Sequence, residues 1–289
     1  MSGTARTSMV RGRGREIASS RLYRPGDSVR AIDWKASARV ATARSSDDFV
    51  VREHFSEDSP RVVVFADRRP TMSLYPAGLP WLHKPAAVAA AGRLIVDSTI
   101  HVQGLPGYLE LAQPGPPRWL PPRSPADAPL IRNRELARTS FTASADSVTR
   151  GLRHLTLSRN DLPPGSFVFV LSDFVSLPAW STWRTVSVLG WDVVPVVLQD
   201  PHWEQSFPAA GGLALPLADP GSRKLKLVRL TRREAAEHRE ANERRLERLI
   251  GGFAELRLDP VILSSDDPTA ILSEFVRWAD RRRERLARR

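Results

Sequence analysis

The sequence predicts an α/β fold: a doubly wound, mostly parallel sheet with one antiparallel edge strand, preceded by an N-terminal extension. Three observations predict it. Residues 61–67 (RVVVFAD) and 166–173 (SFVFVLSD) are β-branched and aromatic runs without polar alternation. Strands of that kind are buried on both faces, the condition inside a parallel sheet. Segments with helical spacing lie between and after them, so strand and helix alternate along the chain. Both runs end in aspartate, Asp67 and Asp173, at the edge where open α/β sheets bind ligands.

The elements follow in order. Residues 1–15 are small, polar and basic, the composition of a disordered tail. Residues 16–58 form a separate N-terminal segment, and 59–289 the α/β domain. In the N-terminal segment Tyr23-Arg24-Pro25-Gly26-Asp27 is turn chemistry. Asp27 is placed as the N-cap of a helix through Val29, Ile32, Trp34 and Ala36. Ile32 and Trp34 are expected to anchor that helix on the domain, and the stretch before residue 58 reads as a strand or hairpin. After the first buried strand, residues 84–97 are Ala-rich with Pro85 in the first turn of a helix. STIHVQG (98–104) and GYLELAQ (107–113) read as two strands joined at Gly104-Leu105-Pro106-Gly107, which supplies the antiparallel edge. Seven prolines between 113 and 129 imply a surface loop carrying Trp119.

Helical patterns resume at 129–138 and 145–157. The second buried strand is followed by a helix with Trp180 and Trp183 and by a strand at 191–198 (WDVVPVVL). Thr231 and Glu234 have capping-box spacing for a helix to about residue 250, which Gly251-Gly252 would end. A strand at 253–263 is expected next. Asp266 or Asp267 then caps a final helix whose apolar face carries Ile271, Leu272, Phe275, Val276 and Trp278.

Composition bounds the function. The chain has no cysteine, which excludes disulfides, thiolate metal sites and a thiol nucleophile, and it fits a reducing cytoplasm. No apolar run reaches membrane-spanning length, and the first residues lack a signal-peptide core, so a soluble, cytoplasmic protein is expected. Net charge is +11, carried by arginine except at Lys35, Lys84, Lys224 and Lys226. Such a charge attracts nucleic acid or anionic lipid. Much of the excess lies at the chain ends, in Arg6, Arg11, Arg13, Arg15 and the run RRRERLARR, and the rest reads as arginine spread over a mixed surface.

Residues 21–39 read RLYRPGDSVRAIDWKASAR, and Val51-Arg52-Glu53 follows. The fixed spacing of Arg21, Tyr23, Pro25, Gly26, Asp27, Arg30, Ile32, Asp33, Trp34, Ala38 and Arg39 resembles the signature of the bacterial family called domain of unknown function fifty-eight. That resemblance implies a von Willebrand factor A-like domain, more often an interaction module than an enzyme. It also implies a MoxR-type AAA+ ATPase, or that ATPase's client, as partner. Glu204 and Pro208 match an E-x-x-x-P pattern of the same family, while Asp219-Pro220-Gly221 only approximates its D-x-x-x-G.

The resemblance further implies a metal-ion-dependent adhesion site at the strand ends, built from D-x-S-x-S, a middle Thr and a later Asp. Oxygen ligands of this kind suit Mg²⁺. The sequence retains Asp67, Thr71 and Asp173, but Arg69 stands where the first Ser would coordinate. Thr142 and Ser144 are the candidates for the middle residue. A guanidinium repels a cation and can neutralise both carboxylates itself, so the site is expected to be degenerate and no cofactor is expected. Helix capping is the alternative role for both aspartates.

Enzyme motifs for phosphate binding, dinucleotide binding and a nucleophile elbow are absent from the sequence. The expectation is a non-enzymatic interaction or adaptor module whose signature charges Arg24, Asp27, Arg30, Asp33 and Arg39 meet a partner. Two alternatives stand beside it: a basic binder of nucleic acid or membrane surface, and a metal-assisted hydrolase at the strand ends.

Overall fold

The computed structural model describes residues 17–23, 32–44, 49–54, 59–74, 82–113, 115–209, 211–212, 214–218 and 225–287. The tail at 1–15 and the turn carrying Arg24, Asp27 and Arg30 lie outside the described residues.

A six-stranded sheet organises the chain. Its strands are β3 (Arg61–Ala66), β4 (Leu105–Glu110), β5 (Arg118–Leu120), β6 (Phe167–Ser172), β7 (Asp192–Leu198) and β10 (Val261–Leu263), in the spatial order β10-β7-β6-β3-β4-β5. All neighbours are parallel except β4 and β5. The expected fold class is therefore present. Strand order reverses between β3 and β6, which places the switch point at Asp67 and Asp173.

Alternate residues of the buried strands serve opposite layers. Val62, Val64, Phe169, Leu171, Val194 and Val196 pack with α2 (Lys84–His101) and α7 (Pro268–Ala287). Val63, Phe65, Val168, Val170, Val193 and Val197 face α4 (Ser147–Leu157), α5 (Trp180–Ser187) and α6 (Arg232–Glu255). Burial on both faces is why these strands lack polar alternation.

Several local expectations need correction. Residues 98–101 are not a strand but the last turn of α2. Thr99 is β-branched, yet it is buried in this helix and donates from Oγ1 to the Ile95 carbonyl at 2.7 Å. The expected hairpin at 104–107 is consequently absent, since Gly104 leads from the helix into β4. The antiparallel edge is instead β5, which contains Trp119 and lies inside the proline-rich segment. Three residues suffice at an edge, where flanking prolines cost little hydrogen bonding.

The helix predicted to stop at Gly251-Gly252 continues to Glu255, and the following strand is only Val261–Leu263. A Cβ on Gly252 would lie 2.3 Å from the Trp180 ring, so this glycine permits close packing rather than chain reversal. Thr231 and Glu234 do form the capping box, and Asp267 caps α7 through the Ala270 N–H. On α7, Ile271 and Trp278 are buried, whereas Leu272 and Val276 are exposed.

The N-terminal unit comprises β1 (Ile17–Leu22), α1 (Trp34–Arg44) and β2 (Val50–His54), with β1 and β2 antiparallel. A second antiparallel pair, β8 (Ala214–Ala218) and β9 (Leu225–Arg229), precedes α6. No helix among the described residues is long and apolar enough to cross a membrane.

Candidate functional site: a charge-filled sheet edge

Asp67 follows β3 directly, and Asp173 follows β6. The parallel pairing of these strands, with Ala66 opposite Leu171, brings the two carboxylates to the same edge. Both are buried. The chain turns after Asp67 through Arg68 and Arg69, and the two arginines go to different partners.

Arg69 lies between the aspartates. Its Nε donates to Asp67 Oδ2 at 2.7 Å, and its backbone N–H donates to Asp67 Oδ1 at 3.0 Å. Its Nη2 donates to Ser172 Oγ at 2.8 Å and to Asp173 Oδ1 at 3.1 Å. Ser172 Oγ in turn donates to Asp67 Oδ2 at 2.7 Å. Asp173 Oδ1 also accepts from the Val175 N–H at 3.2 Å. The carboxylate oxygens that would face an ion are thus occupied by fixed donors.

A second cation comes from Lys84, the first residue of α2. Its Nζ donates to Asp173 Oδ2 at 3.1 Å, to Glu204 Oε1 at 2.5 Å and to the Thr71 carbonyl at 3.1 Å. Glu204 lies in the turn after β7, where its other oxygen accepts from the Asp200 N–H at 2.9 Å. Asp200 itself is satisfied by the N–H groups of Leu82, His202 and Trp203. Three carboxylates (Asp67, Asp173, Glu204) therefore share two cations (Arg69, Lys84) in a buried cluster.

The titration behaviour follows from this geometry. Burial pushes the Asp173 carboxyl upward, but Lys84 and Arg69 outweigh it and hold the group below the usual carboxylate range. Thr71 Oγ1 is near enough to support that charge, though it makes no hydrogen bond of regular geometry. Burial, reinforced by repulsion from Asp173, raises Glu204 despite its contact with Lys84. Burial opposes the Lys84 charge, yet Asp173 and Glu204 raise its affinity for the proton.

Arg68 fills the neighbouring part of the edge. Its Nε donates to Glu110 Oε2 at 2.8 Å, and Nη2 donates to Tyr108 Oη at 2.9 Å and the Glu135 carbonyl at 2.8 Å. Nη1 reaches the Arg138 carbonyl at 2.8 Å. Glu135 ends a π-helical turn, Ile131–Glu135, and such turns present carbonyls differently from an α-helix. Burial raises the Tyr108 phenol further from ionisation, so it keeps its proton and donates a hydrogen bond to Glu110 Oε2 at 2.6 Å.

These residues do not fit a divalent cation. Arg69 occupies the space between Asp67 and Asp173, within hydrogen-bonding distance of both carboxylates, and Lys84 takes the other side of Asp173. Neither residue expected as the middle ligand reaches the site. Thr142 bonds the Gln113 backbone, and Ser144 bonds Asp146. The nearest hydroxyl from that region is Ser147 Oγ, 3.5 Å from Asp67 Oδ1. The aspartates do not cap helices either: the short 3₁₀ turn after Asp67, Pro70–Ser73, has Arg69 at its N-cap position, and α5 begins only at Trp180. Lys84 and Ser172 carry no motif that marks them for this edge, and the family pattern containing Glu204 does not by itself place it at the strand ends.

The signature segment has a different geometry from that expected. Asp33, not Asp27, caps the described helix: its Oδ1 accepts from the Lys35 and Ala36 N–H groups, both at 3.1 Å. Arg39 is exposed on α1. Trp34 is not an anchor, being 62% exposed with its ring edge-on to Phe49 at 5.7 Å. Ile32, half-buried, makes the bridge to Val51 that ties the residues before α1 to β2.

Residues 19–248 match the family described as Protein of unknown function DUF58. The chain belongs to that family. No curated protein is significantly similar in sequence. Among solved structures the chain is similar to the conserved hypothetical protein BatB from Bacteroides thetaiotaomicron, at 14% identity and a TM-score of 0.43, covering 76% of this chain and 99% of that one. It is also similar to an aerotolerance-related membrane protein from Bacteroides fragilis, solved with multiple mutations to serine, at 13% identity and a TM-score of 0.36, covering 68% and 99%. At such identities and scores neither relative says what this chain binds.

Proposed function

We propose that this DUF58 chain is a non-enzymatic interaction module that works with a MoxR-type AAA+ ATPase in complex maturation or client handling. The observation that carries the reading is the occupation of the sheet's ligand edge by Arg69 and Lys84. With its carboxylates paired internally, that edge serves to fix the loops around it, and recognition falls to side chains at the surface. The choice of ATPase rests on the family resemblance alone.

The test is affinity purification of the full chain from its native host, followed by ATP-hydrolysis assays on whatever ATPase is recovered. Recovery of an AAA+ ATPase whose rate changes on adding the chain is expected. Recovery of nucleic acid without an ATPase, or turnover of a substrate by the chain alone, would overturn the reading.

A further inference from the structure

The N-terminal unit presents an aromatic and basic surface that the sheet-edge chemistry does not use. Trp34 is 62% exposed, and Phe49 and Leu22 are each 43% exposed. The rings are nonetheless held in place. Phe49 meets Trp34 edge-on at 5.7 Å and Tyr23 edge-on at 6.5 Å. The backbone beneath them is stitched together. Tyr23 N–H donates to the Phe49 carbonyl at 2.7 Å, Asp33 N–H to the Val50 carbonyl at 2.8 Å, and Val50 N–H to Ser37 Oγ at 2.8 Å.

Beside the rings, Lys35, Ala38, Arg39 and Thr42 line a shallow trough of about 490 Å³ along α1. Lys35 and Arg39 stand four residues apart on one helix face, where like charges repel. Both are exposed, and neither has an ion-pair partner among the described residues. Some exposed helix arginines are paired, as in Arg233–Glu237 and Arg244–Glu240, and others, such as Arg153 and Arg184, have no ion-pair partner among the described residues. An exposed tryptophan held against Phe49, with Arg39 close by and no ion-pair partner for Arg39 among the described residues, has the composition of an interface hot spot.

We infer that the α1 face formed by Trp34, Phe49, Lys35 and Arg39 docks an acidic segment of another protein that carries a bulky apolar side chain. The apolar side chain packs on Trp34 and Phe49, and carboxylates pair with Lys35 and Arg39. The inference rests on the interaction-module reading but not on the identity of the ATPase. Charge complementarity favours an acidic partner, and the exposed indole and phenyl require that the partner supply apolar area as well.

The experiment is selection of random displayed peptides on the immobilised full chain. Short duplex DNA and phosphatidylserine vesicles serve as competing probes. Enrichment of peptides combining Asp or Glu with Leu, Phe or Trp is expected. Trp34→Ala, and separately Lys35→Glu with Arg39→Glu, should weaken those peptides about tenfold or more. The charge variant carries the test if Trp34→Ala fails to fold. Enriched peptides indifferent to both variants, basic peptides, or DNA or vesicles displacing the peptides from this face would overturn the inference. An AAA+ ATPase that copurifies equally with wild type and both variants would also reject this surface while leaving the proposed function intact. Recovery of no ATPase alongside variant-sensitive peptides would do the reverse.

Discussion

Lys84 Nζ donates to Glu204 Oε1 across 2.5 Å, tying the first turn of α2 to the turn after β7. Both side chains are buried, and the same ammonium holds Asp173. Removing the lysine leaves two buried carboxylates facing each other. Lys84→Met should destabilise the protein by about 3–5 kcal/mol, the usual consequence of breaking a buried ion pair from one side. Urea denaturation measures this. A loss below about 1 kcal/mol would mean that the carboxylates find other partners.

The same cluster sets the acid response. Asp173 has a depressed pKa in the folded state, so its stabilisation is present above the unfolded value of 3.8 and is lost as pH falls through the lower folded value. Glu204 behaves oppositely. Its folded pKa is raised above 4.5, so the native state binds the extra proton, and its contribution weakens as pH rises from 4.5 through the folded value. Glu204→Gln should flatten that second slope, whereas Asp173→Asn should abolish the acid-side one and cost more at neutral pH. Denaturation midpoints taken across this range decide between them.

Metal addition tests the role of Arg69. Calorimetry on the unaltered chain should show little or no Mg²⁺ binding at millimolar concentration, because a guanidinium fills the space between Asp67 and Asp173. Arg69→Ser removes that charge and restores an oxygen. The variant should be less stable than wild type without metal, and Mg²⁺ should raise its melting temperature. Tight binding by the unaltered chain would show that Arg69 swings away in solution.

The exposed signature tryptophan separates surface from core. Trp34→Ala should cost no more than about 1 kcal/mol, as expected away from packed sites. Trp183 is buried against Phe174 and Phe253, and Trp183→Ala should cost about 3–5 kcal/mol. Equal losses would place Trp34 in a packed interior.

The pattern of success in the sequence reading has physical causes. Runs such as RVVVFA and SFVFVL declare buried parallel strands because burial on both faces removes polar alternation, and their terminal aspartates marked the edge correctly. Arg69 stands out in the sequence because it occupies a motif position, and in the structure it bridges Asp67 and Asp173. Lys84 was not, since its two carboxylate partners lie 89 and 120 residues away in sequence. The false strand at 98–104 came from β-branched Thr99 and Ile100, whose local preference yields to the packing of α2. Trp34 was misplaced because hydrophobicity alone does not distinguish an anchor facing the core from one facing outward.

Gly251 and Gly252 supply a paired test of helix α6. Both lie within Arg232–Glu255, where glycine is a poor helix former. A Cβ on Gly251 meets nothing within 4 Å, so Gly251→Ala should stabilise the protein by up to about 1 kcal/mol through helix propensity and a less flexible unfolded chain. A Cβ on Gly252 would lie 2.3 Å from the Trp180 ring, which is itself edge-on to Phe253 at 5.4 Å. The ring must move for Gly252→Ala to fit, and overpacking of this kind costs about 1–3 kcal/mol. The two neighbouring substitutions should therefore shift the melting temperature in opposite directions. A stabilising Gly252→Ala would mean that Trp180 repacks freely and that α6 does not depend on this close approach.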